Sequence, residues 1–369
     1  MHPAAAPETS PAVPQARTDV PLAPLTTLRV GGPARRLVEA RTEAELVAAV
    51  RAADAAAEPL LLLAGGSNVL VADAGFDGTV VRVATRGVQV LDQDLCGGAI
   101  VTAAAGEPWD GLVALAVARG FVGLEALSGI PGTVGATPVQ NVGAYGQEVA
   151  QTIATVRVYD RVDARVRTLA AADLAFGYRT SLLKRTRTAL AGTHPESRHV
   201  VLDVTFQLKP GTLSAPVTYP ELARELGVDV GGRVPLTEVR AAVLRLRARK
   251  GMVLDADDPD TWSAGSFFTN PVLPAADAGL LPADAPRYPA GEGMVKTSAA
   301  WLIDRAGFAR GHGLPGPAAL STKHTLALTN RGGAGSGDLL ALAREVAAGV
   351  EERFGVRLVN EPVLVGCSL

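Results

Sequence analysis

The order of apolar and polar positions divides the chain into elements. Thr42 and Glu45 stand three residues apart ahead of Leu46, Val47 and Val50, which share one helical face. The pair reads as a capping box, and Glu58-Pro59 ends the helix. Two short apolar runs, Leu60–Leu63 and Val69–Val71, flank Ala64-Gly65-Gly66-Ser67-Asn68, giving strand, glycine-rich loop, strand. Further strands are expected over 78–83, 88–91, 99–104, 155–159 and 200–208. Residues 108–119 read as a helix closed by Gly120. Val239, Val243, Leu244 and Arg247 recur at helical intervals within 237–250. Over 338–354, Leu339, Leu342, Ala343, Val346, Val350 and Phe354 form one apolar side, with Gly355 as the terminal cap. A last strand is expected over 356–365. The mixture predicts an α+β fold.

A chain of 369 residues implies two or three domains. Residues 1–24 are rich in Ala and Pro without an apolar segment, and read as a disordered tail rather than a secretory signal. A first domain is expected over 25–209, a connecting stretch over 210–234 and a second domain over 235–369. The last strand either returns to the first domain or closes the second.

Composition narrows the class. Hydrophobic residues make up 48% and charged residues 20%, a folded rather than a disordered balance. Aromatics at 4% and a net charge of −2 leave no stacking or basic surface for nucleic acid or an anionic membrane. No apolar run reaches the length of a membrane span. The two cysteines, Cys96 and Cys367, have no metal-binding spacing, so no metal site is expected and both read as free thiols. The free thiols suit a reducing cytoplasm, and a monomer without a nucleic-acid or membrane partner is expected.

Two loops carry candidate chemistry. Gly65-Gly66-Ser67-Asn68 lies between two strands, so it lacks the helix N-terminus that a dinucleotide fingerprint needs. Its glycines can still turn backbone amides into one concavity, with Ser67 and Asn68 as added donors. Alone it reads as a tight hairpin turn. The second loop, within 123–146, places three glycines and two prolines between Ser128 and Pro138 and continues through Gln140-Asn141-Val142-Gly143-Ala144-Tyr145-Gly146. A loop this long and this constrained is a ligand cradle.

These residues carry a resemblance. Gly65-Gly66-Ser67-Asn68 and Ile130-Pro131-Gly132-Thr133-Val134-Gly135 resemble the two-part FAD-binding domain of the vanillyl-alcohol oxidase type. With Phe176-Gly177-Tyr178-Arg179-Thr180-Ser181, Gly265-Ser266-Phe267-Phe268-Thr269-Asn270-Pro271, Ala300-Trp301-Leu302-Ile303-Asp304 and Asn360-Glu361-Pro362, in that order, the chain resembles the UDP-N-acetylenolpyruvoylglucosamine reductase family. Thr218-Tyr219-Pro220-Glu221-Leu222 resembles the tyrosine loop of one branch of that family, and would fall within 210–234. The long N-terminal stretch and the extended segment 252–262 depart from its usual pattern.

The resemblance implies noncovalent FAD and NADPH as reductant, with hydride passing through the flavin to the methylene carbon of an enolpyruvyl nucleotide sugar. It implies Ser266 as proton donor, with Arg179 and Glu361 holding the developing charge. Ser266 standing alone reads as a turn cap, and Arg179 as a surface cation. A carboxylate aimed at an anion repels it unless protonated, so Glu361 is expected to hold a proton when substrate binds. Gly65, Gly66, Ser67, Asn68, Pro131, Gly132, Thr133, Val134, Gly135, Asn141 and Gly143 are implied around the cofactor. Tyr145, Tyr178, Tyr219, Arg247, Lys250, Asn270 and His324 are implied around the nucleotide sugar. Lys250 is equally explained by the helix dipole, Tyr145 by core packing, and Tyr178 either positions Arg179 or faces the flavin. The competing enzyme class is a flavin oxidase or dehydrogenase on the same FAD domain. Many of those attach flavin through His or Cys, and none of the five His lies in the flavin loops.

Overall fold

The computed structural model describes residues 14–94, 98–188 and 196–369. The capping box forms as expected: Thr42 accepts from Glu45 N, Glu45 accepts from the Thr42 backbone, and the helix runs Glu43–Ala55. That helix packs on a sheet ordered Arg17–Pro21, Pro33–Ala40, Phe76–Val83 and Leu60–Leu63. Its last three strands are parallel, because the helix and the long loops carry the chain back across one face. A second, antiparallel sheet is ordered Arg165–Ala170, Ile153–Asp160, His199–Pro210, Gly98–Ala104 and Val88–Asp94. The helix Trp109–Ala118 fills one core there around the buried Trp109 and Phe206. These two sheets are the two parts of the expected FAD-binding unit.

A third core surrounds the helix Ser336–Phe354, whose Leu339, Ala343, Val346 and Val350 are fully buried on one face. Gly355 closes the helix in the left-handed region at φ 66°. The N-terminal segment is clasped into this core. Leu28 and Val30 belong to it, Thr27 Oγ1 donates to Ser263 O at 2.6 Å, and Asn330 Nδ2 donates to Leu28 O at 3.1 Å.

Several expectations change. The stretch read as a disordered tail over 1–24 is in part a strand: Arg17–Pro21 pairs antiparallel with Pro33–Ala40, with Val20 opposite Ala34. Its Pro21 lies at the end of an edge strand, where a missing N–H is tolerated, so proline content concealed it. The rest of that stretch, 1–13, lies outside the described residues, as does Cys96. The last strand is shorter than 356–365: only Val363–Val365 forms a ladder, since Pro362 has no N–H to extend it. It returns to the first unit, parallel to Val69–Val71. The helix Leu236–Arg249 packs with Leu222, Val217 and Ala126, and Arg240 pairs with Asp110 at 2.6 Å. It therefore stands against the FAD-binding unit, not inside the C-terminal core that begins near Ala264.

The C-terminal core makes a direct prediction. Leu339→Ala should lower stability by about 2–5 kcal/mol, read as a lower urea midpoint by circular dichroism. An unchanged midpoint would contradict the burial assigned to this face.

Candidate active site

The two glycine-rich loops meet each other. A Cβ on Gly65 would stand 2.6 Å from Gly132 Cα, and one on Gly132 would stand 2.8 Å from Ser67 Oγ. Ser67 Oγ donates to Pro131 O at 3.1 Å. The glycines are required by loop-on-loop packing, and that packing shapes one cleft. The cleft has a volume of about 290 Å³ and opens onto solvent. The amides of Gly65, Gly66, Ser67 and Asn68 have no protein acceptor among the described residues. Thr133 Oγ1 lies buried there without a partner. An array of unused donors along an extended cleft fits the diphosphate of a dinucleotide.

Gly65, Gly66, Ser67, Asn68, Pro131, Thr133, Gly143, Arg179, Arg247, Ser266 and Glu361 all line this cleft. Four residues assigned to the cofactor do not line the cleft and have contacts within the protein. Val134 is core, and the Val134 and Gly135 amides donate to Glu107 O and Ala105 O at 2.9 and 2.8 Å. Asn141, buried with φ 48°, donates from Nδ2 to Glu148 Oε2 and accepts from Ala150 N. Gly132 accommodates Ser67.

Arg179 and Glu361 lie together at one end. Arg179 Nε stands 3.2 Å from Glu361 Oε1 without hydrogen-bond alignment, and its Nη2 donates to Gly143 O at 3.2 Å. Its backbone is left-handed at φ 52°. Gly177 N donates to Thr180 O, and Lys184 Nζ to Arg179 O at 3.0 Å, which hold that conformation. Glu361 also accepts from Gln140 Nε2 at 3.1 Å, and Asn68 Nδ2 donates to Gln140 Oε1 at 3.0 Å. Burial pushes the Glu361 carboxyl up, opposed by the nearby Arg179 and Lys184 cations. Ser266 follows Gly265, which is left-handed at φ 72°. The next two residues, Phe267 and Phe268, are buried anchors, and Phe267 O accepts from Glu361 N at 2.8 Å. Ser266 is thus fixed beside Glu361 by its neighbours, facing the cleft.

A second group gathers around the end of Leu236–Arg249. Tyr145 and Tyr219 meet edge to face at 5.5 Å, and Lys250 Nζ pairs with Glu221 Oε2 at 2.5 Å. Lys250 also lies 5.7 Å from the Tyr145 ring. Burial pushes the Tyr145 hydroxyl up to about 12 and the His324 imidazole down to about 4. Arg247 is half-buried with its enclosed Nε unpartnered, its Nη2 donating to Met252 O at 2.7 Å, and it joins this group to the cleft. Tyr178 instead accepts from Asn270 N at 3.3 Å and lies under Lys296 Nζ at 4.6 Å. Asn270 Oδ1 accepts from Ala299 N, so that oxygen starts a helix. Gln140, Lys184 and Glu221 were not expected at the site. Gln140 stood inside a quoted motif, but a neutral amide gives no charge signal to single it out.

Comparisons with known proteins identify the family. Residues 34–170 match an FAD binding domain family, and residues 257–365 match the C-terminal domain of UDP-N-acetylenolpyruvoylglucosamine reductase. Proteins of that name from Streptomyces coelicolor and Cutibacterium acnes are 58% and 57% identical, over 95% of this chain and 90% of theirs. The solved UDP-N-acetylenolpyruvylglucosamine reductase of Thermus caldophilus superposes with a TM-score of 0.63 at 28% identity, covering 95% of this chain and 100% of that one. The chain belongs to the UDP-N-acetylenolpyruvoylglucosamine reductase family and carries an FAD-binding domain. Among the described residues no helix is long and apolar enough to cross a membrane.

The raised Glu361 carboxyl has a thermodynamic consequence. The folded protein binds this proton more tightly than the unfolded chain, so the group costs nothing at low pH and lowers stability as the pH rises past its ordinary 4.5. Glu361→Gln removes that cost. Its melting temperature should match wild type near pH ~4 and exceed it increasingly toward pH ~7. A wild-type advantage that grows with pH would show that Arg179, not burial, dominates the carboxyl.

Proposed function

We propose that the protein reduces UDP-N-acetylglucosamine enolpyruvate to UDP-N-acetylmuramate with NADPH, a step of peptidoglycan precursor synthesis in the cytoplasm. The observation that supports this best is the convergence of Arg179, Ser266 and Glu361, from three distant stretches, on the cleft between the two glycine-rich loops. Gly65-Gly66-Ser67-Asn68 and Pro131 to Thr133 would hold FAD, which would supply the hydride relay between NADPH and the methylene carbon of the enol ether.

The chain's own residues handle charge and proton. Hydride addition leaves negative charge on the adjoining carbon, spread into the substrate carboxylate. Arg179, half-buried and already held in place by its backbone contacts, takes the carboxylate in its planar fork. The guanidinium then no longer opposes the burial of Glu361, which stays protonated and donates to the enolate. Ser266 gives its hydroxyl proton to the carbon on the other flank and recovers one from solvent. A serine is a weak acid, but a carbanion-like enolate is a strong enough base to take its proton.

Tyr219, Lys250, Arg247, Tyr145 and His324 form the pocket for the nucleotide diphosphate, and Asn270 and Tyr178 close its far side. Lys250 would exchange Glu221 for a phosphate oxygen, keeping its charge paired throughout. Tyr219, exposed beside Tyr145, is the residue positioned to cover the substrate.

Ser266→Ala separates the half-reactions. NADPH should bleach its flavin within about twofold of wild type, while reoxidation by the enol ether should fall by about 10²–10⁴-fold, followed anaerobically by flavin absorbance. Equal loss of both half-reactions would contradict the assignment of the proton to Ser266.

A further inference from the structure

One cation in the cleft has no role in the chemistry above. Arg187 lies on a short hairpin, Arg187–Thr188 paired with Glu196–Ser197, and lines the cleft with Glu196 and Ser197. Its Nε is enclosed and has no hydrogen-bond partner, and no ion pair reaches it among the described residues. Burial lowers its pKa with no carboxylate to offset the effect. The nearby Glu196 is committed elsewhere. Its Oε1 accepts from Leu60 N at 3.1 Å, and its Oε2 lies 2.8 Å from Nη2 of Arg161, which also pairs with Asp54. An enclosed cation left without an anion is costly unless a ligand supplies one.

The position along the cleft says which part of a ligand that is. Val363 N donates to Asn68 O, which sets Glu361 and Ser266 at one end. The Gly65–Asn68 amides follow, and the strand Leu60–Leu63 leads away from them for about 10 Å. Glu196 holds the far end of that strand at Leu60, and the Arg187 hairpin is anchored there. Arg187 therefore stands beyond the diphosphate cradle, on the side away from the reacting atoms.

We infer that Arg187 binds the adenosine phosphate half of FAD and fixes the direction in which the dinucleotide lies in the cleft. This rests on the functional reading above, which puts the flavin ring at the Ser266–Glu361 end. A guanidinium suits the task because it meets a phosphate with two parallel hydrogen bonds and stacks on a purine face. The hairpin supplies a determinant for the dinucleotide form of the cofactor that the glycine-rich loops alone do not.

The test uses binding rather than turnover. Apoprotein, stripped of flavin and checked for native circular dichroism, is titrated with FAD and separately with riboflavin, without NADPH or substrate. Arg187→Leu should weaken FAD at least about tenfold, or about 1.4 kcal/mol, while riboflavin affinity stays within about twofold of wild type. Arg187→Lys should recover part of the loss. Unchanged FAD affinity, or equal weakening of FAD and riboflavin, would overturn the assignment. Wild-type protein that binds FAD but is not reoxidised by the enol ether would instead count against the functional reading, leaving these affinities to be judged separately.

Discussion

The parallel pairing of Val363–Val365 with Val69–Val71 is the constraint on which the active site depends. Three residues at the end of the chain lie in register with three that directly follow the first glycine-rich loop. Asn68 O accepts from Val363 N, and Asn68 Nδ2 reaches Gln140, which holds Glu361. A one-residue slip would turn the strand's side chains to the opposite face and break this chain of contacts. The same pairing makes the C-terminal core continuous with the first sheet, because Leu70 packs in the C-terminal core while Val69, Val71 and Val365 pack in the core of the first sheet. The placement of the last strand and the geometry of the site are thus tied together.

Electrostatics at the reacting end follow from that placement. Glu361 and Arg179 are brought together from two different units, both partly removed from water. In such a setting desolvation competes with Coulomb attraction, and the raised Glu361 carboxyl shows which prevails here. In the proposed reaction, the carboxyl and the neighbouring guanidinium would together meet an anionic intermediate. Ser266 completes the set by position alone, since its neighbours Phe267 and Phe268 carry the packing.

Much of this was legible in the sequence. The capping box at Thr42 and the apolar face of Ser336–Phe354 reflect local chemistry and apolar periodicity. The two glycine-rich loops were visible as loops, though the reason for their glycines was not: Gly65 and Gly132 serve contact with each other, a relation between residues far apart in the chain. The edge strand Arg17–Pro21 was hidden by proline, and the late start of the last strand by the apolar Val356, Leu358 and Val359 ahead of Pro362. Arg187 carried no signal at all, because an arginine in a polar stretch shows its isolation from anions only after folding. The triad itself was read from motif order, not from physics, since each member alone has a more ordinary explanation.

The central claim is that this cleft passes hydride to one enol ether. Its most direct measurement is anaerobic: the flavin of the purified holoprotein is reduced with NADPH, UDP-N-acetylglucosamine enolpyruvate is added, and the flavin absorbance is followed. The account predicts rapid return of the oxidised spectrum with that compound and not with simpler enol ethers, together with formation of UDP-N-acetylmuramate. A flavin that stays reduced with the nucleotide sugar, yet is reoxidised by oxygen or another acceptor, would contradict it.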